Sequence, residues 1–287
     1  MSGSQQTTVA WSRQLGRQAL LVAASIVTIY PVLWVLKIAF SAKAGFGSGL
    51  SPWPDEPTLD NFRRVLGAVD SVGQPVFVRQ LGNSVVVSLA TTIIGITVST
   101  TAAYAFSRFE FPGRNAGMKA FLVTQMFPSV VMAVPLYILL DELHLLNSML
   151  GLTLVYSTTS VPFCVWMLKG YFDTIPRDLE EAALVDGASR WTIFTRIVLP
   201  LARPAIVVTA LFSFMSAWNE FILAATFLSD ERATTLPVAL QRYVDAFSTD
   251  WGGFAAGALI VSLPVMALFF VLQKHLVGGL TAGGVKG

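Results

Sequence analysis

The sequence predicts an all-α, polytopic membrane protein with six transmembrane helices, and three observations predict it. Of the 287 residues, 54% are hydrophobic and 13% charged, with a mean hydropathy of +0.65, which is more apolar surface than a soluble domain of this size can bury. The apolar residues gather in runs of about 20, the length at which a helix crosses roughly 30 Å of hydrocarbon. The runs do not alternate and are too long for barrel strands, and backbone groups in lipid must be satisfied within their own segment.

Six windows follow in order, at residues 19–40, 84–106, 120–140, 149–168, 204–228 and 252–272. The first is longer than the apolar core of a signal peptide, and no small-residue cleavage site follows it closely, so it is expected to stay as an anchor. The domain at 19–272 includes external loops at 41–83 and 229–251 and a cytoplasmic loop at 169–203, and it is flanked by cytoplasmic tails at 1–18 and 273–287. Lys and Arg divide twelve to seven between the two sides. Basic residues mark the cytoplasmic face, so both termini are expected there, in the inner (cytoplasmic) membrane.

Composition also removes function classes. A net charge of +2, without a basic cluster interleaved with aromatics, excludes a nucleic-acid partner. Cys164 stands alone in an apolar run, where a free thiol packs as a small hydrophobe and forms neither a disulfide nor a metal set. The chain has no GxxxxGK[ST] phosphate loop, and His144 and His275 fall on opposite sides of the membrane, so no catalytic or metal constellation is expected.

The cytoplasmic loop is too long for a simple link and is patterned throughout. In its run IPRDLEEAALVDGASRWTIFTRIVLPLARP, Pro176 opens a helix with Asp178, Glu180 and Glu181 at its positive end. Gly187 breaks that helix, a second carries Trp191, Ile193, Phe194 and Ile197, and Pro200 and Pro204 mark the return to the membrane. Ala182 and Ala183 offer a face that another protein can approach closely; an amphipathic helix lying on the interface is the alternative.

The spacing of Glu181, Ala182 and Ala183, then Gly187, then nine residues to Ile197, then Leu199 and Pro200, resembles the EAA loop of ATP-binding cassette importer permeases. AYAFSRFEFPG at 103–113, QMFP at 125–128, KGYFDTI at 169–175, DLEEAALVDGA at 178–188 and the ending LVGGLTAGGVKG extend the resemblance to the maltose and maltodextrin branch, over almost the whole chain. That resemblance implies a non-catalytic subunit forming half of a sugar pathway. It implies an ATPase-coupling role for Glu181, Ala182, Ala183, Gly187, Leu199 and Pro200, and a tail contact to the ATPase through Thr281, Gly283, Gly284 and Lys286. The partners implied are a MalF-like permease subunit, two MalK-like ATPase subunits holding ATP and Mg, and an external MalE-like sugar-binding protein; this chain binds no cofactor. A departure is AWNEF at 217–221, which is closer to general carbohydrate permeases and leaves the exact sugar open: another α-glucoside such as trehalose is the alternative to maltose, and a non-sugar solute the more distant one.

An ionisable group inside an apolar window is costly and a functional candidate by default, about 2.5 kcal/mol or more on insertion scales. Glu220, with Asn219 and Trp218, is therefore placed on the substrate pathway, or else in polar contact with partner helices. Gln125, with Pro128 and Pro135, marks a window whose carbonyls can open toward a cavity, with packing as the alternative. In the run LPVALQRYVDAFSTDWG, Asp245, Phe247, Ser248 and Thr249 are the candidates for binding-protein contact, against a solvated connector. A secondary transporter would need several intramembrane coupling charges and no docking loop, and a membrane enzyme would need a constellation that the sequence lacks.

Overall fold

The computed structural model describes residues 3–42, 51–244 and 249–284, with side chains for 14–42, 51–244 and 249–273. Every element among them is helical apart from isolated bridges such as Ser41 with Pro57. In chain order the helices are α1 (Gly3–Ala39), α2 (Asp60–Leu66), α3 (Phe77–Arg108), α4 (Arg114–Gln125), α5 (Ser129–Glu142), α6 (Met149–Phe172), α7 (Asp178–Val185) and α8 (Arg190–Ile193). A π-turn (Phe194–Val198) leads into α9 (Leu199–Leu201), α10 (Arg203–Trp218), α11 (Ile222–Phe227), α12 (Leu236–Gln241) and α13 (Trp251–Gly284).

Two compact units divide the chain, residues 1–68 with 240–260, and residues 69–239 with 261–287. In the first, residues 14–33 of α1 are exposed along their whole length, Leu20, Leu21 and Val27 among them. Such a face is built for lipid or another chain. Its Ser25 and Thr28 hydroxyls each donate to the carbonyl four residues back at 2.8 Å, so they leave no unmet polarity in hydrocarbon. Asn61 on α2 closes the end of α1 by donating to the carbonyls of Ala39 and Ser41, both at 2.9 Å. Arg64 pairs with Asp250 at 2.9 Å.

The second unit is organised by α3, α6 and α10. Small side chains line the buried face of α3: Ser88, Thr91, Gly95, Ser99 and Ala103 repeat at three- and four-residue steps, so neighbouring backbones approach closely. A Cβ on Gly95 would stand 3.2 Å from Ser160 Oγ and 3.4 Å from Ser213 Oγ, on α6 and α10, so the glycine sets that approach. One apolar cluster gathers Leu140, Leu152, Tyr156, Leu223 and Phe227; another gathers Ala103, Leu168, Phe172, Ile193 and Val198. Cys164 is buried between them in sequence, as a packing residue should be. Near the start of α3, Asn83 donates to the carbonyls of Arg232 (2.8 Å) and Thr234 (3.0 Å), which ties the turn before α12 to that helix.

Four stretches are long and apolar enough to cross a membrane: Gln14–Ala39, Phe77–Arg108, Met149–Phe172 and Trp251–Gln273. Two bent pairs bring the number to six if each is one span: Arg114–Gln125 with Ser129–Glu142 at 102°, and Arg190–Leu201 with Arg203–Trp218 at 77°. The window at 120–140, predicted as one helix, is therefore broken. Pro128 lacks an N–H and disfavours helical backbone at Phe127, so α4 stops and α5 restarts at Ser129. The window at 204–228 is interrupted as well, at residues 219–221 between α10 and α11. The last window ends at 272, but α13 runs on to Gly284, so Thr281, Gly283 and Gly284 lie on its final turns.

Candidate functional site

The loop between α6 and α10 folds as two short helices around a glycine. At φ +84°, Gly187 takes the left-handed position that ends α7. Ala188 N donates to Ala183 O at 2.9 Å and Gly187 N to Leu184 O at 3.0 Å, the paired bonds of a Schellman cap. Ser189 then caps α8, accepting from Thr192 N at 3.1 Å. Pro200 removes a donor and crowds the carbonyl of Arg196, and the preceding turn widens into the π-turn. The 77° bend at Ala202 lies between Pro200 and Pro204. Pro200 thus acts on backbone shape, while Leu199 packs half-buried against the cluster around Phe172 and Val198.

Glu181, Ala182 and Gly187 are exposed and Ala183 half-buried, whereas Glu180 is 4% exposed. Its carboxylate pairs with Arg108 Nε, and both side chains are buried. Tyr104 OH donates to the other carboxylate oxygen at 2.9 Å. Arg108 also donates to the Ile175 carbonyl (3.1 Å) and to Ser107 Oγ (2.8 Å), and Ser107 donates to Asp173 at 2.6 Å. Burial alone would push the Asp173 carboxyl up, but hydrogen bonds from Lys169 and Ser107 outweigh it and hold it below its ordinary value near 3.8. Tyr104 meets Phe194 ring to ring at 4.8 Å, so one tyrosine touches both arms of the loop. Sequence reasoning assigned Arg108 to the basic count and Glu180 to a helix end, because nothing in the chain marks a pairing across 72 positions. The exposed face carries Val185 at 88% and Trp191 at 67%.

A second arrangement lies where the two interrupted helices meet α6. A cavity of about 430 Å³ is lined by Gln125, Thr158, Thr159, Ser216 and Glu220 among polar groups, and by Phe127, Met132 and Leu136 among apolar ones. That volume and mixture suit a small polar solute. Gln125, the last residue of α4, donates to the Thr159 carbonyl at 3.0 Å. Glu220 accepts from the backbone N–H groups of Leu223 (2.9 Å) and Ala224 (3.1 Å), standing in for the missing cap of α11, and from Tyr156 OH at 2.7 Å. Three donors and a helix end thus carry the charge that an apolar window could not. Asn219 is exposed and bonds back to Met215 O at 2.9 Å. Trp218 departs from its expected place on the substrate pathway: it is 2% exposed, stacked on Phe214 at 5.5 Å, and does not line the cavity. Its apolar area is worth more in the core than at a wet wall. Tyr156, which the sequence did not single out, is the partner that the carboxylate required.

Thr249 forms a bridge with Val244. Asp245, Phe247, Ser248 and Lys286 lie outside the described residues. Among the described residues no group of three His, Cys, Asp or Glu is placed to hold a metal ion.

Comparison with known proteins agrees with this architecture. Residues 93–281 match the family described as the binding-protein-dependent transport system inner membrane component. The chain is 41% identical over 271 residues to the maltose/maltodextrin transport system permease protein MalG of Vibrio vulnificus, covering 90% of this chain and 91% of that one. It is 38% identical over 276 residues to the galactooligosaccharides transport system permease protein GanQ of Bacillus subtilis, covering 96% of each. A chain of a bacterial ABC transporter involved in the import of the acidic polysaccharide alginate superposes with a TM-score of 0.75 at 22% identity, over 96% of this chain and 98% of that one. The bent spans, the glycine-capped loop on the ends of α3 and α6, and these likenesses together make the chain a member of the family of inner membrane components of binding-protein-dependent transport systems.

Proposed function

We propose that this chain is one of two permease subunits of an ATP-binding cassette importer for an α-glucoside, with maltose or maltodextrin as the cargo and trehalose as the alternative. The likeness to MalG supports that cargo class, and the likeness to GanQ keeps other oligosaccharides in view. The observation that carries the reading is the loop: its back is fixed by a buried ion pair while Glu181, Ala182, Val185 and Trp191 stay uncovered. An uncovered apolar patch rimmed by charge fits a partner protein. That partner is a MalK-like ATPase, two copies of which hold ATP and Mg. When ATP closes the ATPase pair, the docked loop moves and the spans exchange inward for outward access.

The sugar passes the cavity at the two helix breaks, where Gln125 and Glu220 offer polar groups; Asn219, exposed beside Glu220, extends that polar face. A MalF-like subunit supplies the other half of the pathway, and a MalE-like binding protein delivers sugar to the external loop carrying Asp245, Phe247, Ser248 and Thr249. Both termini face the cytoplasm, where the tail with Thr281, Gly283, Gly284 and Lys286 reaches the ATPase pair; the twelve-to-seven division of basic residues supports this.

Reconstitution with these partners tests the reading. Binding-protein-dependent uptake of maltose or maltotriose is expected, and Val185→Asp, at a fully exposed position, is expected to strip the ATPase from the purified complex. Uptake of an amino acid but no glucoside would overturn the cargo, and full ATPase retention in the variant would overturn the docking face.

A further inference from the structure

Helix α7 is joined to α6 by residues 173–177, which include Pro176, and to α8 through Gly187. Both joints are short irregular stretches about which an eight-residue helix can swing. Helix α3 is not adjacent to this loop in the chain, yet its last residue, Arg108, reaches into it. The guanidinium holds Glu180 on α7 and the Ile175 carbonyl in the middle of the joint, and Tyr104, one turn earlier on α3, holds the second Glu180 oxygen. Tyr104 also packs on Phe194, on the far side of Gly187. Arg108 and Glu180 are almost wholly buried while the docking face opposite is open.

We propose that Arg108, Glu180 and Tyr104 form a lock that fixes the angle of α7 against the ends of α3 and α6, so that a push received on the exposed face moves the spans instead of swinging α7 about its joints. These are positioning residues; none touches cargo or nucleotide. The geometry supports this over a purely stabilising role. A buried ion pair adds little net stability compared with apolar side chains of similar size, but its directional bonds admit only one arrangement. The Arg108 fork is satisfied by Ser107 on its own helix, by the Ile175 carbonyl in the joint and by Glu180 on α7, so a swing of α7 would break the ion pair and leave Arg108 tied to its other two acceptors.

The inference rests on the coupling role proposed for the loop, and the experiment separates the two. In the reconstituted complex, the paired substitution Arg108→Met with Glu180→Leu removes both charges without stranding either. It is expected to keep the ATPase at normal stoichiometry and hydrolysing, while sugar imported per ATP falls roughly tenfold, in line with the loss of a contact that transmits between two sites. Glu180→Gln, which keeps the acceptor oxygen, should lie between the pair and the native protein. An unchanged import-to-ATP ratio in the paired variant would overturn the lock, as would loss of the ATPase from it, which would assign the pair to folding or docking. If the lock alone is wrong, Val185→Asp still strips the ATPase; if the coupling role is wrong, Val185→Asp leaves it in place.

Discussion

Two glutamates, Glu180 in the loop between α6 and α10 and Glu220 at the break between α10 and α11, each accept a hydrogen bond from a tyrosine, and they solve the same problem by different means. Glu180 has a full counter-charge in Arg108, and its neighbours are buried with it. Among the described residues no cation pairs with Glu220; two backbone N–H groups at the start of α11 and the Tyr156 hydroxyl share the work. A fixed counter-charge binds two elements into one geometry. Backbone dipoles and one neutral hydroxyl stabilise a charge without a fixed counter-charge, and Glu220 lines a cavity.

The largest effect that would break this comparison is at Glu180. Glu180→Ala leaves Arg108 charged and buried, a loss of about 3–5 kcal/mol. Denaturant unfolding in detergent should show it, and adding Arg108→Met to the same chain should recover most of it. If that second change recovers nothing, the two residues are not acting as a pair.

A smaller effect is expected at Glu220. Glu220→Leu removes a cap and strands the Tyr156 hydroxyl, about 1–2 kcal/mol. Tyr156→Phe should restore only the hydroxyl's share, because the cap is still missing. Membrane insertion should be unaffected and uptake reduced; undiminished uptake would take Glu220 off the pathway.

The smallest effect concerns the acid side of the lock. The Asp173 carboxyl is held below its ordinary value near 3.8, so its contribution is complete above that value and is lost as the pH falls through the lowered one. Because Asp173 is partly exposed, solvent screening keeps this under about 1 kcal/mol. Unfolding midpoints of the native protein and Asp173→Asn should differ by a constant amount above the ordinary carboxylate value and converge below it. Curves that remain parallel through that range would remove Asp173 from the network.

The six apolar windows were legible because hydrophobic length is a local property, and the EAA spacing was legible because a glycine cap, a small-residue face and two prolines each act over a few residues. The break at Pro128 was only half legible: a proline in a window announces a weakness, but whether the helix bends through it, as at Pro135, or stops depends on what packs nearby. The pairing of Arg108 with Glu180 was not legible at all, since either charge alone reads as a solvated surface group. Trp218 was misread for a related reason, as the same ring serves a sugar platform and a packed core, and only its contact with Phe214 decides between them.

The uncovered face of α1 bears on the order of synthesis. A helix whose Ser25 and Thr28 hydroxyls return to its own carbonyls and whose residues 14–33 are exposed can enter the bilayer as soon as it leaves the ribosome, without waiting for later segments. The bent pair α4 and α5 has no such independence: Gln125 at its break finds its acceptor, the Thr159 carbonyl, on a helix not yet translated. The first crossing is thus ready early, and the segment that forms the cavity wall is completed only once α6 has followed it into the membrane.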